Sequence, residues 1–120
     1  MAITSKPTTL DPRDFLAIDA LLDDEERAIR DTVRQFVRER IVPDVGEWFE
    51  QGILPAELVP EIGRLGLFGM HLEGYGLPGA SAVAYGLTCL ELEAGDSGVR
   101  SAVSVQGSLA MFAIDRKSVV

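Results

Sequence analysis

Between Leu22 and Ile41 the apolar residues Leu22, Ile29, Val33, Phe36, Val37 and Ile41 return at helical spacings among charged and polar neighbours. On a helix these positions share one side, so the segment predicts an amphipathic surface helix. Asp23, three residues ahead of Glu26, offers an N-cap and capping box. Asp23/Arg27 and Glu26/Arg30 stand at i,i+4 for favourable pairing, and Pro43 ends or kinks the rod. A second amphipathic piece, Asp44 to Glu50, groups Val45, Trp48 and Phe49 before Gly52 stops it, with Trp48 as a core anchor. Pro55 at a first helical position opens a third, carrying Leu58, Val59, Ile62 and Leu65 toward Gly66 as a left-handed cap; Pro60 weakens it.

The second half has a different texture. Gly66 to Gly79 holds five of the twelve glycines and reads as a loop of tight turns. Ser81 to Ala94 and Val99 to Ile114 are apolar almost all round, the mark of helices enclosed by other structure. Gly95 to Gly98 separates them, with Asp96 or Ser97 available as the next N-cap. The pattern therefore predicts an all-α helical bundle of four or five helices, preceded by a loosely ordered acidic arm over residues 1–20.

Composition narrows the function classes. A chain of 120 residues, 47% hydrophobic and 25% charged, is globular material for one domain. Its 11 basic and 19 acidic residues leave a net charge of −8, the wrong sign for a phosphate backbone or an anionic membrane surface, so no nucleic-acid partner is expected. No run reaches the ~20 apolar residues of a membrane span, and Met1 to Ala20 lacks the pattern of a signal or transit peptide, which points to a cytoplasmic location. Cys89 has no disulfide partner and His71 is the single histidine, so no metal site is expected.

Few residues can carry chemistry. Gly74, Gly76 and Gly79 match the GxGxxG pattern, with Glu93 or Asp96 near the place of a ribose-binding acid. Helices rather than a strand precede them, and Pro78 sits inside the turn, so a plain connecting loop is the better reading. Arg100 is the only basic residue between His71 and Arg116, at the start of a helix otherwise fit for burial. A guanidinium keeps its charge there and must be paired or face a cavity. Arg100, Ser101, Ser104 and Ser108 fall in one arc of that helix, a polar stripe suited to an anionic ligand such as a carboxylate. The competing reading is an internal ion pair of Arg100 with Glu93 or Asp96. Glu91 and Glu93, two apart on a helix, face different directions; Glu93 is the better buried partner for Arg100. No nucleophile–base constellation can be assembled, so no catalytic residue is assigned in this chain.

Several segments carry a family likeness: the run from Leu22 through Asp44, LGLFGM at Leu65 to Met70, and Tyr75 to Leu109 with ELEAGDSGVRSAVSVQ at Glu91 to Gln106 as its specific part. Together they resemble the N-terminal helical domain of acyl-CoA dehydrogenases, in the glutaryl-CoA dehydrogenase branch. The likeness runs from about Asp11 to Ile114, and places that domain at residues 21–114. It implies an FAD-dependent parent, usually a homotetramer, whose middle β-domain and C-terminal helical domain are absent here. In such a parent a catalytic Glu outside this chain removes the α-proton and the flavin accepts the β-hydride; in the glutaryl branch decarboxylation to crotonyl-CoA follows. The implied partners are an acyl-CoA substrate and an electron-transfer flavoprotein, and the implied substrate contacts are Glu93, Arg100, Ser101 and Ser104. The fragment alone is expected to be inactive and not to hold FAD tightly. DRKSVV, Asp115 to Val120, departs from the pattern and reads as an artefactual tail, like a sequencing adapter translated in one frame, which would make the chain a truncated reading frame. A free-standing helical interaction module is the alternative.

Overall fold

The computed structural model describes residues 11–117. Helix α1 (Asp24–Phe36) starts at the expected capping box: the Glu26 amide donates to Asp23 Oδ1 at 2.8 Å and the Asp23 amide donates to Glu26 Oε2 at 3.1 Å. Because each of these carboxylates accepts from the other residue's backbone amide, the expected Asp23/Arg27 and Glu26/Arg30 pairs do not form. Arg27 instead bonds Asp24 and the Asp19 carbonyl, and Arg30 pairs with Asp19 and Asp31, which ties the short 3₁₀ turn Ile18–Leu21 to α1. The rod continues as π-helical turns over Val37–Ile41 and stops ahead of Pro43.

Helix α2 (Val45–Gln51) ends at Gly52, whose φ of +65° is the left-handed cap. Trp48 packs on the core, whereas its neighbour Phe49 is 82% exposed, since adjacent residues on a helix point about 100° apart. Helix α3 (Leu58–Arg64) begins three residues later than Pro55 suggested, because Pro55 and Ala56 form a turn whose carbonyls accept from Leu58 and Val59. Pro60 then falls in the first helical turn, where a missing N–H leaves no intrahelical bond unmade, and it does not interrupt α3.

The glycine loop contains a minimal hairpin that the sequence pattern did not reveal. Strands β1 (Glu73–Gly74) and β2 (Leu77–Pro78) pair antiparallel around Tyr75 and Gly76, both with left-handed φ, the geometry of a type I′ turn. Helix α4 (Ala82–Gly95) is capped by Ser81, and α5 (Ser97–Ser104) by Asp96, whose Oδ2 accepts from the Val99 amide at 2.8 Å. From α5 the rod runs on as π-helical turns over Val105–Met111 and then α6 (Phe112–Lys117), without a break at Ile114.

The core joins the stripe of α1 (Val33, Val37, Ile41) to Leu58, Ile62, Leu67, Met70, Ala84, Leu92, Val99 and Val103. Gly95 permits a close approach: a Cβ there would lie 2.5 Å from Val37 Cγ1. The molecule is a plate of 49 × 44 × 19 Å, about two helix layers thick. The expectation that α4 and the following rod are enclosed is therefore only half met. Leu92, Val99 and Val103 are buried, but Leu90, Leu109 and Ile114 are each more than 60% exposed, because a two-layer plate covers one face of each helix.

Candidate substrate-contact site

Helices α4 and α5, joined at Asp96, run antiparallel and carry a polar seam. At the end near Asp96, Arg100 Nε donates to Glu93 Oε2 at 2.5 Å, and Nη1 donates to Ser104 Oγ at 3.1 Å. The Ser104 hydroxyl donates a hydrogen bond to the Ser101 carbonyl at 3.2 Å, so Ser104 is satisfied on both sides. At the far end Tyr85 and Ser108 share a 2.5 Å hydrogen bond between hydroxyls. The partners in both rungs come from residues spaced by helical turns on each rod, Tyr85 and Glu93 on one, Arg100, Ser104 and Ser108 on the other, with Cys89 between.

Of the four residues expected to contact substrate, Glu93, Arg100 and Ser104 are brought together by side-chain bonds, and Ser101 joins through its carbonyl. Asp96 caps α5 and is not the Arg100 partner. The bond to Glu93 and its charge raise the Arg100 pKa further, so the guanidinium is a permanent cation. A third of its side chain remains exposed, and its Nη2 has no hydrogen-bond partner among the described residues. The arrangement is a cation held at two nitrogens with a third donor open to an incoming anion.

Glu93 is the Arg100 partner as expected, but its burial needs correction. Glu93, expected to be buried, is half exposed, while Glu91 is buried and takes a bidentate pair from Arg34 of α1, Nε to Oε2 at 3.0 Å and Nη2 to Oε1 at 2.7 Å. Glu91 faces inward because α1 packs on that side of α4, and the pair raises the Arg34 pKa. Tyr85 also lay outside the sequence reading. Its ring packs at a tilt against His71 with centroids 4.6 Å apart, and burial pushes its phenol pKa up, an effect the Ser108 hydrogen bond partly opposes.

The Gly74, Gly76 and Gly79 pattern does not form a dinucleotide-binding turn. Gly74 and Gly76 serve the hairpin, the Gly79 amide donates to the Leu72 carbonyl, and the α4 N-terminus is capped by its own Ser81. No βαβ unit or metal-binding cluster occurs among the described residues. Two cavities lie away from Arg100: one of about 410 Å³ beside Trp48, and one of about 640 Å³ between α1, α3 and the hairpin. No helix among the described residues is long and apolar enough to cross a membrane.

The fold is an antiparallel helical plate with a partly exposed arginine on one seam. Residues 23–118 match the family model "Acyl-CoA dehydrogenase, N-terminal domain", and the chain belongs to that family. Two crystal structures of glutaryl-CoA dehydrogenase from Mycobacterium smegmatis superpose closely. One, in complex with FADH2, gives a TM-score of 0.86 at 59% identity over 90% of this chain and 28% of that one. The other gives 0.83 at 63% identity over 89% and 28%. Among curated proteins, benzylmalonyl-CoA dehydrogenase of Aromatoleum aromaticum is 36% identical over 71% of this chain and 23% of its own length. The (2S)-methylsuccinyl-CoA dehydrogenase of Cereibacter sphaeroides is 35% identical over 67% and 15%. The chain thus spans less than a third of each relative.

Proposed function

We propose that residues 21–114 serve as the N-terminal domain of an FAD-dependent glutaryl-CoA dehydrogenase, and that Arg100 receives the free carboxylate of the acyl group. The observation that carries this is the Arg100 guanidinium, fixed by Glu93 and Ser104 with Nη2 left to donate. The substrates named in the relatives support it: glutaryl, benzylmalonyl and methylsuccinyl thioesters all keep one free carboxylate. A planar fork of N–H donors matches that group and gains nothing from a plain alkyl chain.

Within this reading the chain binds and orients one end of the substrate. It supplies neither the general base nor a flavin cradle, so proton and hydride transfer belong to the other domains of the parent, a soluble cytoplasmic homotetramer that passes electrons to an electron-transfer flavoprotein. The test is a chimera in which this domain replaces its counterpart in the Mycobacterium smegmatis enzyme, with retained flavin as the check on assembly. Arg100→Gln should lower kcat/KM for glutaryl-CoA by about ten- to a hundredfold and that for butyryl-CoA far less. Equal losses on both substrates, together with reduced thermal stability, would make Arg100 a structural partner of Glu93 and sink the proposal.

A further inference from the structure

The far rung of the α4–α5 seam, Tyr85 with Ser108, is not among the proposed substrate contacts. Ser108 belongs to the π-helical stretch Val105–Met111, and its bond to Tyr85 is the one side-chain hydrogen bond that ties this stretch to the other described residues. Wide π turns are uncommon and occur as local interruptions of α-helices, often next to functional sites. Here the α-to-π junction falls directly after Ser104, the residue whose hydroxyl anchors Arg100 Nη1. A junction displaced by one residue toward the N-terminus would take Ser104 out of α geometry, and with it the i,i+4 relation that places its hydroxyl under the guanidinium.

We propose that Tyr85, acting through Ser108, is a positioning residue that holds the α-to-π junction at Ser104 and so aims Arg100 at the substrate carboxylate. This rests on the proposed role of Arg100. Tyr85 suits the task because its ring is clamped against His71, which fixes where the hydroxyl stands. Its phenol is neutral at physiological pH by ordinary tyrosine chemistry, and partial burial pushes its pKa further up. The helix packing itself does not depend on this hydroxyl, since Leu92, Val99 and Val103 hold α4 to α5 on the core side.

In the chimeric enzyme Tyr85→Phe keeps the ring and removes only the hydroxyl. The ratio of kcat/KM for glutaryl-CoA to that for butyryl-CoA should fall about three- to tenfold, mainly through KM for glutaryl-CoA, the scale of one lost neutral hydrogen bond. Ser108→Ala should produce the same fall, the double variant should fall no further than either single one, and Ser108→Thr, which retains a hydroxyl, should preserve the ratio. Both substrates declining together, or an unchanged ratio in Tyr85→Phe while Arg100→Gln still collapses it, would overturn the positioning role alone. An unchanged ratio in Arg100→Gln would overturn the carboxylate reading and this inference with it.

Discussion

The Arg34–Glu91 pair joins α1 to α4 by two hydrogen bonds at 3.0 and 2.7 Å, with only 8% of the Glu91 side chain exposed against 38% of Arg34. Replacing Arg34 with Met keeps an unbranched apolar stem and removes both donors, leaving Glu91 buried and uncompensated. Breaking a buried pair from one side costs about 3–5 kcal/mol, and the open side of Arg34 lets water reach the pair, which favours a loss of about 2–3 kcal/mol. That is a large share of the ~5–15 kcal/mol available to a small domain. Arg34→Met/Glu91→Met removes both charges, and methionine adapts to the space left behind, so it should lie within about 1 kcal/mol of the parent chain. Urea unfolding of the dilute chain, followed by the fluorescence of its single tryptophan, Trp48, measures the cycle. A cost under about 0.5 kcal/mol for Arg34→Met would show the pair to be screened like a surface one and refute the reasoning.

Two further outcomes follow from packing and titration. Gly95→Ala sets a methyl 2.5 Å from Val37 Cγ1 and should destabilise the chain by about 1–3 kcal/mol in the same unfolding assay, with Val37→Ala in the same chain recovering part of the loss; additive losses would place the strain elsewhere. Glu61 accepts two hydrogen bonds from Arg40, chiefly for which its carboxyl pKa lies below the ordinary 4.5. Its contribution to stability is therefore present above that value and lost as pH falls through the lower folded one; Glu61→Gln should flatten this acid limb of the unfolding midpoint, and an unaltered limb would assign it to other carboxylates.

What the sequence made legible was local. The α1 capping box, the stop of α2 at Gly52, the left-handed Gly66 and an N-cap for α5 at Asp96 or Ser97 each depend on a few neighbouring residues; all form, with Asp96 taking the last role. The α1 stripe is legible for the same reason, since helical periodicity alone decides which residues share a face. Competition among equivalent local partners is less legible. Asp23 and Glu26 were available both to cap and to pair with Arg27 and Arg30, and the reciprocal cap prevails because it satisfies backbone amides that have no other partner.

The seam shows where pattern reading stops and what would extend it. Arg100, Ser104 and Ser108 declare themselves as polar positions on one apolar rod, with Glu93 as the partner of Arg100, but that Glu91 is the buried glutamate depends on where α1 lies, which no periodicity within α4 contains. Once α1 covers one side of α4, Glu91 is committed to Arg34 and Glu93 to the other helix. The antiparallel register then carries Tyr85 to Ser108, because eight residues back along α4 from Glu93 meets eight residues forward along the next rod from Arg100. An aromatic residue within an apolar run reads as core until that register is known. With it, the phenol becomes the second end of a polar seam whose first end holds the exposed cation.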